Sequence, residues 1–253
     1  MCVVCFVFVY FFSYLNKKYQ SADVLISLPC LKNHWHAVVT GAIKNVGIGG
    51  TPANIYGISK RNIGRNNMVN HNSQDLHRWI HDFYLCRPVN FVIMDGLQGV
   101  QNGPTPCFEM SLTSGLKQDQ MNMRLIIAGS DAVAVDTIEA LLMGWDPLSV
   151  DYLKYLNENG AGNLDPSCIT VVGQPVAAAR KDFEGVIPPA GGARIKDKTA
   201  PKLRLTKIQK QNSRLKLTLA ADKETVKVEV FIDGTLRKPV ITANFNRISL
   251  DIA

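Results

Sequence analysis

The sequence predicts an α/β domain with a mainly parallel sheet covered by helices, followed by a small β module. Short, continuously apolar segments alternate with amphipathic segments of helical period, which predicts buried parallel strands joined by helices. After residue 199, cations alternate with leucine, as in half-exposed strands. We therefore predict an α/β domain at 1–186, a linker at 187–198 and an incomplete β-sandwich at 199–253.

The first fifteen residues are almost wholly apolar. They are fewer than the ~20 residues that span a bilayer, and Lys17 and Lys18 follow the run, whereas a secretory signal begins with its cations. Valine, phenylalanine and tyrosine favour a buried strand. A signal or anchor and the start of a truncated reading frame are the alternatives. Apart from such an anchor, no membrane association is expected.

The elements of the α/β domain follow from apolar pattern and capping residues. Strands are predicted at 22–28, 89–94, 123–128 and 168–172, and helices at 37–46, 74–84, 132–143 and 150–159. Ser73 caps the second helix and Ser130 or Asp131 caps the third, while Gly144 and Gly160 end the last two. Two long loops, at 51–72 and 95–120, are candidates for function.

Such a sheet is covered on both faces and binds ligands at the carboxyl ends of its strands. Three noteworthy turns are predicted there, at 29–34, 95–104 and 129–131. We therefore expect these turns to converge at one edge of the sheet.

The basic charge of the chain belongs to its tail. Residues 1–193 carry 14 Lys and Arg against 15 Asp and Glu, whereas residues 194–253 carry 14 against 6. Strands are predicted at 203–208, 215–219 and 226–232, with Asp233-Gly234 as a hairpin turn. The cations are expected on the wet face of these strands, with binding of an anionic polymer as the alternative. No aromatic residues interleave with them, so nucleic acid is not expected as a partner.

The six cysteines lack the paired short spacings of a zinc or iron–sulfur site. Buried free thiols are expected, and disulfides stay open. The residues are Cys2, Cys5, Cys30, Cys86, Cys107 and Cys168.

All five histidines lie between residues 34 and 81. His77 and His81 are spaced i and i+4 on the second helix, as in zinc proteases, but Arg78 occupies the place of the catalytic glutamate. We expect these two histidines to flank the core or face water. His71 lies in the polar loop at 51–72.

His34 and Lys44 flank the small-residue stretch Thr40-Gly41-Ala42. Glycine lets the backbone approach a ligand closely, and a lysine partly buried there would lose proton affinity and act as a base or nucleophile. The alternative is that Lys44 extends to solvent and His34 caps a turn.

Three carboxylates accompany these residues. Asp95 follows a strand, where it would bind a metal or orient a histidine. Asp131 is expected to cap a helix, and Asp136 to face the same crevice from the first turn of that helix.

Four segments, in this order, resemble the family called domain of unknown function 362. They are Pro29-Cys30-Leu31-Lys32-Asn33-His34, Thr40-Gly41-Ala42-Ile43-Lys44-Asn45, Asp95-Gly96 with Asn102-Gly103-Pro104, and Gly129-Ser130-Asp131-Ala132-Val133-Ala134-Val135-Asp136. The resemblance runs from about residue 22 to 173 and implies an α/β fold without an established reaction. The family also occurs beside iron–sulfur modules, but their cysteine motifs are absent here, so no cluster is expected. The tail resembles part of an immunoglobulin- or fibronectin-like module.

A more distant resemblance is to nickel-pincer lactate racemases. His34 and Lys44 are ten positions apart, with Thr40-Gly41 between them. The resemblance implies that His34 ligates nickel, that Lys44 holds the cofactor covalently and that His71 acts on the substrate proton.

The sequence thus predicts a metal- or cofactor-dependent enzyme that acts by proton transfer on a small anionic substrate. The alternative is a non-catalytic binding or redox-partner protein, displayed at a cell surface. The predicted site comprises His34, Lys44 and His71 as catalytic residues, Lys32, Asn45 and Asn102 for the substrate, His34 and Asp95 for a divalent metal or nickel cofactor, and Asp131 and Asp136 as helix-cap or site carboxylates.

Overall fold

The structure is a computed structural model. It divides into two compact units, Met1–Pro166 with Ala178–Ile195 and Ser167–Ala177 with Lys196–Ala253, each of which is described by itself. The described residues are 2–7, 11–56, 75–103, 119–185, 203–211, 214–221, 227–232, 235–241 and 248–252.

The apolar amino terminus forms an antiparallel hairpin of β1 (Cys2–Val7) and β2 (Phe11–Asn16). The predicted strand character of this run is therefore confirmed, although the run forms two paired strands where one was predicted. The amide of Tyr14 donates a hydrogen bond of 2.7 Å to the hydroxyl of Tyr56. In the described part of the chain, no helix has both the length and the apolar character needed to cross a membrane.

The central sheet is mixed. β3 (Ile26–Ser27) and β4 (Cys30–His34) lie on either side of Pro29, and both pair in parallel with the long strand β6 (Phe91–Val100). β5 (Val38–Val39) pairs antiparallel with β4, and β7 (Leu125–Gly129) pairs antiparallel with β6. Together with the helices, this sheet confirms the α/β class.

Helices follow the predicted order with shifted boundaries. The helix predicted at 37–46 begins only at Ala42, because Val38 has a φ of +67° and pairs with β4. Asp131 is the cap of α5, whose residues Val135, Ile138 and Leu142 are buried as predicted. The predicted cap Ser73 lies outside the described residues. The helices are α1 (Lys17–Gln20), α2 (Ala42–Gly49), α3 (Ala53–Tyr56), α4 (Asp75–Cys86), α5 (Ala132–Leu142), α6 (Asp151–Glu158) and α7 (Val176–Ala179), with 3₁₀ turns at Pro147–Ser149 and Pro166–Cys168.

One face of the sheet is covered and the other is open. Helices α2 and α5 pack on the covered face, which carries the buried residues Ser27, Val92 and Met94. The opposite face carries side chains that alternate with these along each strand and are exposed, such as Ile93 and Ile126. The expectation of cover on both faces was therefore wrong for the described residues.

The predicted convergence of three turns was also wrong. Because β7 runs antiparallel to β6, the turn after Gly129 lies beside Val92, near the start of β6 and away from its end at Val100. In addition, β6 continues through Asp95 and Gly96, so these two residues form part of the strand.

The strand predicted at 168–172 is wrong as well. A 3₁₀ turn ends at Cys168, and Val172 is 79% exposed. An apolar run alone does not make a strand, because a strand also needs a neighbour that pairs with its backbone.

Five strands lie among the residues of the tail that the structure describes. Arg214–Ala221 pairs antiparallel with both Leu203–Gln211 and Ile248–Ile252, and Lys227–Ile232 forms a hairpin with Thr235–Ile241 that pairs as far as Ile232 and Thr235. The predicted hairpin is thus confirmed, while the immunoglobulin-like identity of the tail stays a prediction. The strands are β8 (Leu203–Gln211), β9 (Arg214–Ala221), β10 (Lys227–Ile232), β11 (Thr235–Ile241) and β12 (Ile248–Ile252).

Candidate functional site

The candidate site is built around the turn that leads from β5 into α2. The amide of Thr40 donates to the carbonyl of Lys32 at 3.0 Å, which closes the hairpin of β4 and β5. Gly41 then takes a φ of +32° and begins α2 without a capping side chain of its own. The first amides of this helix therefore need acceptors from elsewhere in the chain.

Two carboxyl groups of α5 supply these acceptors. Asp136 accepts from the amide of Ala42 at 2.7 Å and from that of Ile43 at 3.1 Å, and Glu139 accepts from the amide of Gly41 at 3.3 Å. Both side chains are fully buried. Asp136 thus caps α2 from a neighbouring helix, which the sequence had predicted only in outline as a carboxylate facing the site.

The two carboxyl groups compete for one negative charge. Burial raises the pKa of Asp136 to about 7, although the amides of Ala42 and Ile43 oppose this increase. Burial and the charge of Asp136 raise the pKa of Glu139 well above its ordinary value. Because Asp136 has two amide donors, whereas the Oε2 atom of Glu139 has no hydrogen-bond partner, we assign the charge to Asp136 and the proton to Glu139.

Lys44 is another buried ionisable residue of the site. Its side chain is 7% exposed, and its ammonium has no hydrogen-bond acceptor among the residues that the structure describes. Burial, with a further contribution from the positive charge of Lys32, lowers the pKa of Lys44 to about 7. The expectation that burial weakens the proton affinity of this lysine is therefore confirmed, and the alternative of a lysine extended to solvent is wrong.

The charge of Lys32 acts on both Lys44 and the acid pair of the site. Lys32 is only half-buried. Its charge lowers the pKa of Lys44 and also that of Glu139. The site therefore combines a partly accessible cation, a buried amine and a buried acid pair.

His34 is held by the backbone of its own hairpin. Its Nδ1 atom accepts hydrogen bonds from the amides of His36 at 3.1 Å and Ala37 at 3.2 Å. Nδ1 is therefore an acceptor, so Nε2 carries the hydrogen of the neutral ring. A ring in this tautomer donates a hydrogen bond and does not offer the lone pair that a metal ligand needs. The geometry thus fits a nickel or other metal ligand poorly.

The structure does not bring Asp95 into the site. Asp95 is exposed on the open face of the sheet, and its carboxylate accepts from the amide of Leu97 at 2.9 Å. α5 and its acid pair lie on the covered face. No group of three or more His, Cys, Asp or Glu side chains within the described ranges is placed to hold a metal ion. A metal centre therefore stays a prediction.

The predicted amide ligands are engaged in local structure. The side chain of Asn45 donates to the hydroxyl of Ser27 at 3.1 Å, and that of Asn102 donates to the carboxylate of Asp119 at 2.8 Å. Substrate binding by these two amides stays a prediction, because it would compete with these bonds. The other predicted cap, Asp131, accepts from the amides of Ala134 at 3.0 Å and Asn163 at 2.9 Å.

The remaining histidines separate into three cases. His77 is buried, and His81 lies near the surface, where it contacts Asp82 and Asn159. His71 lies outside the described residues, so its catalytic role stays a prediction. His77 accepts from the amide of Tyr152 at 3.3 Å and approaches the carbonyl of His36 at 3.1 Å, which joins α4, α6 and the hairpin.

Replacing His77 with alanine is expected to lower the free energy of unfolding by about 2–4 kcal/mol, because it leaves a buried amide and a carbonyl unpaired. Burial keeps the pKa of His77 below its ordinary value of 6.5. This stabilisation is therefore fully present above pH 6.5 and decreases as the pH falls through the lowered pKa.

Urea denaturation of His77→Ala and His81→Ala, one helical turn apart, tests this prediction. The His81 variant is the control and should lose about 1 kcal/mol or less, since its partners stay near water. Equal losses for the two variants would contradict the structural role of His77.

Two buried polar residues of the site were missed by the sequence analysis. Glu139 lies three positions after Asp136 in an otherwise apolar helix, and this charge within an apolar stripe was the available signal. Tyr152 is fully buried, its hydroxyl has no hydrogen-bond partner, and burial together with the two carboxyl groups raises its pKa. Tyr152 could have been found only from the tertiary packing of α6.

Comparison with known proteins gives a family and no function. Residues 11–141 match the model of a family described as Domain of unknown function (DUF362). No curated protein and no solved structure matches the chain. The matched residues make up more than half of the chain and include Lys32, Lys44, Asp136 and Glu139. All four segments that suggested the family also lie within them, and the chain therefore belongs to the DUF362 family.

Proposed function

We propose that this chain is an enzyme that moves a proton on a small anionic substrate, with Lys44 as the base. The observation that carries the proposal is the buried amine of Lys44, which has no hydrogen-bond acceptor among the described residues and whose pKa of about 7 leaves a large fraction neutral at physiological pH. A base is most effective when its pKa lies near the working pH.

The charges around Lys44 favour an anion as the substrate. Lys32 and Lys44 repel each other when both are protonated, as the lowered pKa of Lys44 indicates. An anion bound beside them would relieve this repulsion. Because Lys32 is partly exposed, it would meet the anion first and hold it next to the buried amine.

His34 would hold the strand that presents Lys32. It lies two positions after Lys32 on β4, and the backbone amides of His36 and Ala37 fix its ring through Nδ1. In this proposal His34 is a positioning residue, which differs from the metal-ligand role that the sequence predicted.

The experiment follows exchange of carbon-bound hydrogen in deuterated water. Small 2-hydroxy- and 2-aminocarboxylates are incubated with the full chain, and deuterium incorporation is measured by nuclear magnetic resonance. We expect exchange for at least one of these acids, with a kcat/KM that increases with pH and levels off above about 7, as Lys44 loses its proton.

Two lysine variants separate the base from the anion site. Lys44→Met is expected to reduce exchange by about 10²–10⁴-fold, and Lys44→Arg to be equally inactive because arginine keeps its proton. Lys32→Met should raise KM more than it lowers kcat. Exchange at the wild-type rate in Lys44→Met would overturn the proposal. Anion binding without exchange would favour the non-catalytic alternative. The predicted metal is tested separately, by elemental analysis of the wild type and of His34→Ala.

A further inference from the structure

The open face of the central sheet is the largest feature that the proposed function does not use. Pairing in the sheet places Ile26 opposite Phe91, Ile93 opposite Ala128, and Asp95 opposite Ile126. In each pair both residues are exposed, so they share one face. This face, together with the bend that leads into β3, carries seven large apolar residues, 37% to 67% exposed: Val24, Ile26, Leu28, Phe91, Ile93, Leu97 and Ile126.

This surface is too large and too apolar for ordinary solvent exposure. Seven such side chains, each about half exposed, present on the order of 600 Å² of apolar surface. Contiguous apolar patches beyond a few hundred Å² mark interaction sites. Asp95 also lies on this face, and its carboxylate accepts a hydrogen bond from the amide of Leu97.

The area and shape of the patch match one kind of occupant. A stable interface buries about 800 Å² on each partner, and this patch supplies most of that area. A flat sheet face packs well against another sheet face at a distance of about 10 Å, with the apolar side chains interdigitated. In a symmetric dimer the same patch serves both partners. We propose that two copies of this chain associate through the open faces of their central sheets.

Such a dimer would complete the fold. Each copy would cover the face that the other leaves open, so that both faces of the sheet are buried, as in other sheets with parallel strands. The candidate site would be unaffected, because α2 and α5 lie on the opposite, covered face.

The test is the mass of the full chain in solution. Sedimentation equilibrium should give twice the chain mass of 27.9 kDa, with dissociation on dilution. Ile126→Glu places a charge in the patch at an exposed position and should weaken association at least about 100-fold. Leu148→Glu is the matched control: Leu148 is similarly exposed, in the turn Pro147–Ser149 outside the patch, and this variant should dimerise like the wild type.

A second measurement needs no substitution. Cys30 pairs with Asp95 on the open face, whereas Cys168 is exposed in a 3₁₀ turn and belongs to the second unit. Alkylation of Cys30, quantified by peptide mass spectrometry, should slow as the protein concentration rises, while alkylation of Cys168 should not. A wild-type monomer at about 100 μM, or a dimer that survives both Ile126→Glu and Ile93→Glu, would overturn the proposal.

Discussion

Replacing Gly41 with alanine is expected to reduce the free energy of unfolding by about 3–5 kcal/mol, a large part of the stability of an ordinary domain. Two causes act together. Gly41 has a φ of +32°, which residues with a Cβ atom rarely adopt, and a Cβ atom there would overlap the carboxylate of Asp136. Either α2 must shift or the acid pair must leave its amides.

Gly49 offers a control in the same helix. A Cβ atom at Gly49 would have nothing within 4 Å, so Gly49→Ala should stabilise α2 by about 0.5–1 kcal/mol. Urea denaturation of the two variants should therefore give shifts of opposite sign. The double variant Gly41→Ala/Asp136→Ala tests the cause, because removal of the carboxylate removes the overlap. It should be about 1–2 kcal/mol less stable than Asp136→Ala alone, which is the part of the loss that the positive φ causes. Full additivity of the two losses would exclude the overlap as the cause.

The sequence predicted the parts of the fold that depend on local pattern. α5 begins at its predicted cap Asp131, and α4 buries Leu76, Ile80 and Phe83 at the predicted spacing. In both helices the apolar period agrees with the buried positions, and α5 also begins at its predicted capping residue.

Features that depend on pairing between distant strands were predicted less well. The direction of β7 cannot be inferred from its own residues, because an apolar strand is compatible with parallel or antiparallel neighbours. The direction of β7 determines whether the turn after Gly129 lies beside the end of β6 or beside its start. The open face of the sheet was not predicted for the same reason: Ile93 and Ile126 have the composition of a buried strand, but no helix among the described residues covers them.

The sequence predicted the identity of the site residues more accurately than their hydrogen-bond partners. Lys44 is buried with a lowered pKa, as its small-residue neighbourhood suggested, and Asp136 lies against the start of α2. Glu139 was missed because a lone glutamate in a helix is usually solvated. The metal pair of His34 and Asp95 rested on sequence order, whereas the tautomer of His34 depends on two backbone amides that only the folded hairpin provides.

Replacing Asp136 with alanine is the second substitution for which we expect a large effect, with a loss of about 3 kcal/mol at neutral pH. The amides of Ala42 and Ile43 would lose their acceptor inside the core, and a cavity would remain. Removal of a buried charge offsets part of this loss. Asp131→Ala is the control, because Asp131 caps α5 at a half-buried position and its loss should cost about 1 kcal/mol. A loss for Asp136→Ala no greater than that of the control would show that α2 does not depend on the buried carboxylate.

The pH dependence of this effect has a definite sign. The folded pKa of Asp136, about 7, lies above its ordinary value of 3.8, so the folded state holds this proton more tightly than the unfolded chain does. The resulting stabilisation is complete below about pH 3.8 and is lost as the pH rises to about 7. Asp136→Asn has similar volume and cannot titrate, so the difference in unfolding free energy between wild type and this variant should shrink between about pH 4.5 and about pH 7.5. A difference that grows over this interval would mean that Asp136 is stabilised as the anion, with its two amides outweighing the cost of burial.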